Sequence, residues 1–179
     1  MLVMILSMSI PLSAVMLPTY SMMRKLGLVN TRIGMILVLA ARFIPIGVWI
    51  IKEFIDGIPE ELEQAAMIDG AGTLTIISKI TFPLALPGTA VIALLAFLGG
   101  WGDFTLSLIL INKEKLYPIS LGIFRASLIM TGGRAGQVVL IDHGIMAAIS
   151  MLYLMMPVIF FLLMQKYLVK GMAIGAVKG

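Results

Sequence analysis

The chain has 179 residues, 60% of them hydrophobic and only 12% charged, with a net charge of +4 and a mean hydropathy of +1.09. A soluble domain carries roughly a quarter charged residues, so this balance excludes a water-soluble globule and predicts an all-α, polytopic transmembrane helix bundle surrounded by membrane lipid. With no cysteine there is neither a disulfide framework nor a thiolate metal site, no cofactor is expected, and basic residues flanking apolar runs read as headgroup anchors rather than a nucleic-acid surface.

Four segments meet the length of ~20 apolar residues that a spanning helix needs. The first, Met1 to Thr19, contains Pro11 and Pro18. It begins at the first residue with no basic leader and no small-residue cleavage site, which is not the pattern of a signal peptide and reads as a protein whose beginning lies upstream. Tyr20 to Thr31, bearing Arg24 and Lys25, joins it to the second segment, Ile33 to Ile51. That segment holds Pro45, and prolines inside spans predict kinks that neighbouring helices must cover. It also holds Arg42, and an unpaired charge at mid-span costs roughly 2.5 to 3.5 kcal/mol, so this side chain should face protein or water.

Between the second and third spans lies a polar insert, Ile58 to Pro83, which carries Glu60, Glu61, Glu63 and Asp69, with Asp56 just before it. So many acids belong in water, and a short ordered element there is a candidate docking site. Pro59 suits the first position of a helix, the three glutamates of the first turn favour the positive end of its dipole, and Gly70 suits the left-handed stop. The spacing predicts about three turns from Pro59 to Asp69, with Leu62, Ala65, Ala66 and Asp69 sharing a face on which two alanines admit a close partner. A second short helix is expected from Thr73 to just before Pro83, with Ile76, Ile77 and Ile80 as its apolar stripe.

The third segment, Ile80 to Leu110, contains Asp103 beside Gly99, Gly100, Trp101 and Gly102. Arg42 and Asp103 are candidates to line a solute path, with Trp101 offering an aromatic face on which a sugar ring could stack. The alternative places Asp103 at the interface and Trp101 in the aromatic belt. The polar stretch from Asn112 to His143 holds a short surface helix over Ile119 to Met130, and a glycine-rich turn at Gly132 to Gly136 that lacks the Lys-Ser/Thr ending of a phosphate loop. Asp142 and His143 read as an interfacial helix end. The fourth segment is Gly144 to Gln165, and fifteen methionines in the chain indicate adaptable packing rather than a metal path. Charges taken alone place the insert outside the cell. Lys52, Lys79, Lys166, Lys170 and Lys178 lie on its side, against Arg24, Lys25, Arg32, Lys113, Lys115, Arg125 and Arg134 on the other.

The run QAAMIDGA, followed by Ile80 and Pro83, resembles the EAA loop of permease subunits in ATP-binding-cassette importers. Ala65, Ala66, Asp69, Gly70 and Ala71 match, while Gln64 stands where the family usually has glutamate; a neutral amide keeps hydrogen bonding but loses a charge-assisted contact. The closing segment 165–179, QKYLVKGMAIGAVKG, is similar to the tail of oligosaccharide-type permeases, with Gly171, Gly175, Ala176, Val177, Lys178 and Gly179 fitting. PTYSMMRKLGLVNTRIG and LAFLGGWGDFTLSLIL also resemble that family, so the likeness spans the chain as one permease domain, 1–179, lacking the family's opening spans.

The resemblance to maltose-type, MalG-like sugar permeases of MetI-like fold implies an inner-membrane, multi-pass subunit that itself hydrolyses nothing. It implies a cytoplasmic coupling loop, 58–83, in which Glu63 to Ala66 and Asp69 to Ala71 dock on ABC ATPase subunits, and a cytoplasmic tail reaching toward the ATPase dimer. It further implies a second permease subunit, an extracellular solute-binding protein and a sugar substrate. The rival readings are a membrane scaffold or assembly subunit or a nonfunctional fragment, and a permease for a non-sugar solute; an intramembrane enzyme would need a nucleophile–base set that the sequence lacks.

Overall fold

The structure, a computed structural model, describes residues 2–130 and 143–175, and every regular element among them is helical. The long elements are α1 (Leu2–Met8), α2 (Leu12–Lys25), α3 (Arg32–Asp56), α4 (Glu60–Ile68), α5 (Thr73–Ile76), α6 (Phe82–Trp101), α7 (Thr105–Leu110), α8 (Ile119–Met130) and α9 (His143–Gly175). A π turn, Ile77–Thr81, links α5 to α6, and a 3₁₀ turn, Glu114–Leu116, precedes α8. The glycine-rich turn at 132–136, Asp142, and residues 176–179 of the tail lie outside the described residues.

Three helical stretches among the described residues are long and apolar enough to cross a membrane: Arg32–Asp56, Thr73–Trp101 and Gly144–Tyr167. Two of the four expected spans are therefore redrawn. Met1 to Thr19 is not one helix, because Pro11 sits in extended backbone (φ −64°, ψ 139°) between α1 and α2. A proline has no N–H to continue the ladder and biases the residue before it away from helix. The expected Ile80 to Leu110 span stops at Trp101 and resumes as the separate α7; three glycines between Leu98 and Asp103 weaken the helix at this point. Pro18 and Pro45, by contrast, lie inside continuous α2 and α3.

The chain divides into two compact units. One comprises Met1–Met8, Phe43–Ala96 and Phe161–Gly179. Within it Ile50, Ile58, Ile76, Ala85 and Leu94 are buried, and Gly88 lies so close to Phe54 that a Cβ there would stand 2.8 Å from the ring. Small residues that let backbones approach are the usual means of packing helices in lipid, where apolar burial against another helix gains little over burial in acyl chains.

The other unit comprises Ser9–Arg42 and Phe97–Phe160. Its core is formed by Met23 of α2, Met35 and Val38 of α3, Leu106 and Leu110 of α7, Ile111, and Leu121 of α8. Thr31 caps α3, its Oγ1 accepting from Gly34 N–H at 3.0 Å and donating to Leu28 O at 2.7 Å. Asn30, in left-handed backbone at φ 60°, donates its N–H to Leu110 O at 2.9 Å. Its Oδ1 accepts from the N–H groups of Asn112 and Lys113 at 2.5 and 3.1 Å, which ties the start of α3 to the end of α7. Along α9 the apolar side chains are exposed, Met151 by 77% and Leu152 by 64%, as expected of a helix whose solvent is hydrocarbon.

Candidate coupling loop and ion-pair site

Ile58 is buried where the chain leaves α3, and Pro59 stands in extended backbone (φ −61°, ψ 129°) as the N-cap of α4. Against the expected start at Pro59, the helix begins one position later, at Glu60. Glu60, Glu61 and Glu63 occupy the first turn as anticipated, where their charge complements the unpaired N–H groups.

The other end of α4 closes on the residues that carry the EAA resemblance. Asp69 is the C-cap, and Gly70 follows at φ +82° with no atom within 4 Å of a Cβ built there. Gly70 N–H donates to Met67 O at 3.0 Å and Ala71 N–H to Ala66 O at 2.9 Å, the paired bonds of a Schellman turn. The six-residue hydrogen bond explains why Ala66 and Ala71 belong to one motif, and the positive φ why Gly70 stands between them.

Of the expected face, Leu62, Ala65 and Asp69 are exposed and Ala66 is half-buried, while Gln64 is exposed. Sequence reasoning passed over a second set of apolar side chains on this loop. Ile68 is 86% exposed and Leu74 83%, with Met67 and Ile77 beside them in sequence and also exposed. Met67, Ile68 and Leu74 are apolar residues off the predicted stripe of an otherwise polar insert, and Ile77, expected on the buried stripe, is exposed beside them.

The expected second short helix does not end before Pro83. α5 passes through the π turn directly into α6, making one helical stretch from Thr73 to Trp101. Pro83 cannot donate to the ladder and its ring crowds the carbonyl one turn earlier; the wider π turn that ends two residues before it relieves both demands. Ile76 and Thr81 are buried, and Thr81 Oγ1 donates to Glu63 Oε1 at 3.1 Å.

In the other unit, the structure brings Arg42 and Asp103 together. Arg42 Nη1 lies 3.5 Å from Asp103 Oδ1, with the guanidinium side chain 47% exposed and the carboxylate side chain 2%. Asp103 Oδ2 accepts from both the N–H and the hydroxyl of Ser107, each at 3.0 Å, and its backbone carbonyl accepts from Ser120 Oγ at 2.6 Å. The carboxylate thereby satisfies a free donor in the first turn of α7 while it faces the arginine. Ser107 and Ser120 were not identifiable in advance, since isolated serines in apolar runs carry no pattern.

Trp101 lies in an aromatic column. Its ring stacks on Phe97 and on Tyr153 with centroids 5.6 and 5.7 Å apart, and Phe97 stacks on Phe160 at 4.0 Å. The indole N–H donates to Tyr153 O at 3.3 Å, and Tyr153 hydroxyl donates back to Trp101 O at 3.0 Å. Both polar handles of the pair are thus satisfied within the protein. Gly175 closes α9.

Residues 1–174 match the family described as binding-protein-dependent transport system inner membrane component, and the chain belongs to that family. It is 34% identical over 178 residues to the arabinooligosaccharides transport system permease protein AraQ of Halalkalibacterium halodurans, covering 99% of this chain and 60% of that protein. It is 34% identical over 176 residues to the melibiose/raffinose/stachyose import permease protein MelC of Bacillus subtilis, covering 96% and 59%. It is 30% identical over 170 residues to the osmoprotective compounds uptake permease protein GgtD of Synechocystis sp., covering 94% and 54%. The chain therefore spans a little over half the length of these relatives. It is a multi-pass component of the inner membrane.

Proposed function

We propose that the chain forms the membrane-spanning permease subunit of an ATP-binding-cassette importer with a MetI-like fold, and that residues 58–83 are its cytoplasmic coupling loop. The observation that carries this reading is α4 itself: a short helix closed by a Schellman turn at Ala66 to Ala71, exposing small and apolar side chains in a chain of this family. In this reading Glu63, Gln64, Ala65, Ala66, Asp69, Gly70 and Ala71 form or shape the surface that seats in a separate ATPase subunit. Closure of the ATPase dimer moves the loop, and the loop moves α6. The tail from Gly175 through Ala176, Val177 and Lys178 to Gly179 reaches toward the same ATPase, and hydrolysis belongs to that subunit. A second permease subunit and an extracellular solute-binding protein complete the assembly.

A sugar or oligosaccharide is the proposed cargo, supported by the names of AraQ and MelC. A non-sugar osmolyte is the second reading, favoured by the likeness to GgtD. Arg42, Asp103 and Trp101 are assigned to the solute path, Arg42 as its half-exposed group and the enclosed Asp103 as the countercharge behind it; Trp101→Ala and Asp103→Asn variants with unchanged transport affinity and rate would remove them from it.

The deciding experiment is purification of the complete transporter from its native membrane through a tag on this chain. An ATPase should co-purify, with activity that rises when the binding protein is added. Gly70→Pro or Ala66→Trp should then separate hydrolysis from uptake. Tight coupling in both variants, or a purified chain with no ATPase, would favour a scaffold instead.

A further inference from the structure

Glu63 and Thr81 are eighteen positions apart and lie at the two ends of the loop, yet their side chains meet at 3.1 Å. A threonine inside a helix ordinarily turns its hydroxyl back to a carbonyl one turn earlier. Thr81 instead reaches out of the π turn, where it is 8% exposed, to the carboxylate of Glu63. Between them the backbone runs through the Schellman turn at Gly70, the N-cap at Gly72 and the π turn at Ile77–Thr81. Two glycines and a widened turn make this a compliant route for force to travel.

We infer that the Glu63–Thr81 hydrogen bond is a mechanical tether which makes α4 and the head of α6 move as one piece. It bypasses the compliant backbone, so a displacement of α4 arrives at Thr81 without being absorbed at Gly70, Gly72 or the π turn. This assigns different work to two adjacent residues. Gln64 is exposed and available to a partner, whereas the charge next to it, on Glu63, is turned inward and engaged within the chain. Glu63 therefore does not replace the missing carboxylate at Gln64 as a contact to another subunit. Glu63 and Thr81 are positioning residues, and their role rests on the proposed coupling function of the loop.

The test uses the complete transporter reconstituted with its ATPase and binding protein, reading the number of ATP molecules hydrolysed per solute imported alongside the amount of ATPase retained. Thr81→Val keeps the shape and removes the donor; Glu63→Ala removes the acceptor. Each should raise the ratio by roughly twofold to tenfold, the factor that a net hydrogen bond gives in an equilibrium constant, and Thr81→Val, which lies outside the proposed docking surface, should do so with full retention of ATPase. The double variant should be no worse than either single one, and Thr81→Ser should restore the ratio. A wild-type ratio in Thr81→Val overturns the tether, as do multiplying effects in the double variant. Loss of ATPase from Thr81→Val also overturns it, because the hydroxyl would then serve docking rather than transmission. If the unaltered chain retains no ATPase, the coupling function itself falls and the tether with it.

Discussion

Arg42 and Asp103 pair at 3.5 Å with opposite exposures, the guanidinium side chain half open and the carboxylate side chain almost wholly enclosed. The pair is asymmetric in its chemistry as well. Asp103 accepts from the N–H and hydroxyl of Ser107, so its carboxylate is held by α7 independently of the arginine. With the guanidinium half in the open the pair itself contributes little, but removing the arginine leaves an enclosed carboxylate without its countercharge.

Arg42→Gln should therefore destabilise the protein by about 2–4 kcal/mol, since it leaves an enclosed carboxylate without its countercharge. Adding Asp103→Asn to that variant should recover about half of the loss, because the amide oxygen still accepts from Ser107 and no longer needs a cation. Unfolding of both variants and the double variant in detergent–SDS mixtures measures this. Additive losses would show that the two residues do not act as a pair.

Asn30 makes a second long-range connection, from the turn before α3 to residues 110–113. Asn30→Gly retains the left-handed backbone and loses only the two bonds to Oδ1, for about 1–2 kcal/mol. Asn30→Ala loses the same bonds and adds the cost of φ 60° for a residue with a Cβ, about 1 kcal/mol more. Thermal unfolding should rank Asn30 above the glycine variant and the glycine variant above the alanine one. Asn30→Asp, which retains the acceptor, should fall closest to the original chain.

What the sequence made legible follows from local rules. Composition alone established a helical membrane protein, and the stop at Gly70 was readable because only a left-handed turn needs glycine between Asp69 and Ala71. The helix over Ile119–Met130 lies where its pattern placed it. Boundaries failed where prolines act through their neighbours. Pro11 breaks a run that passes any hydropathy test, whereas Pro83 sits in a helix that continues because the π turn ahead of it gives way. Local reading could nominate Arg42 and Asp103 as costly charges in need of company. It could not supply Ser107, Ser120 or Tyr153, whose roles exist only once distant segments meet.

Gly88 and Phe54 should show the strongest packing coupling in their unit. A Cβ at position 88 would stand 2.8 Å from two ring atoms of Phe54, closer than carbon atoms can approach, so the ring must shift. Gly88→Ala is expected to cost about 1–3 kcal/mol, the usual penalty for overpacking a tight contact. Phe54→Leu, introduced together with it, should recover part of that cost by giving a more adaptable neighbour. A Gly88→Ala variant as stable as the original chain would mean that the two helices separate freely there.

The orientation of the loop is open to a direct chemical test because the chain has no cysteine. Gln64 is exposed on α4, so Gln64→Cys places a single thiol on the proposed docking surface without disturbing the Glu63–Thr81 bond or the turn at Gly70. An impermeant maleimide should leave it unlabelled in intact cells and label it in inverted vesicles stripped of peripheral proteins. In vesicles that retain the ATPase, labelling should fall, since a seated helix shields the thiol. Rapid labelling in intact cells would instead agree with the charge distribution, seven basic residues against five, and would place the loop where no ATPase could reach it. The two rules conflict in this chain. Basic anchors within a short segment set orientation only weakly when longer stretches of a polytopic protein compete, whereas the exposed apolar side chains Ile68 and Leu74 beside an acidic helix are the pattern that a docking surface would present. Labelling of Gln64→Cys therefore decides which physical constraint governs the loop.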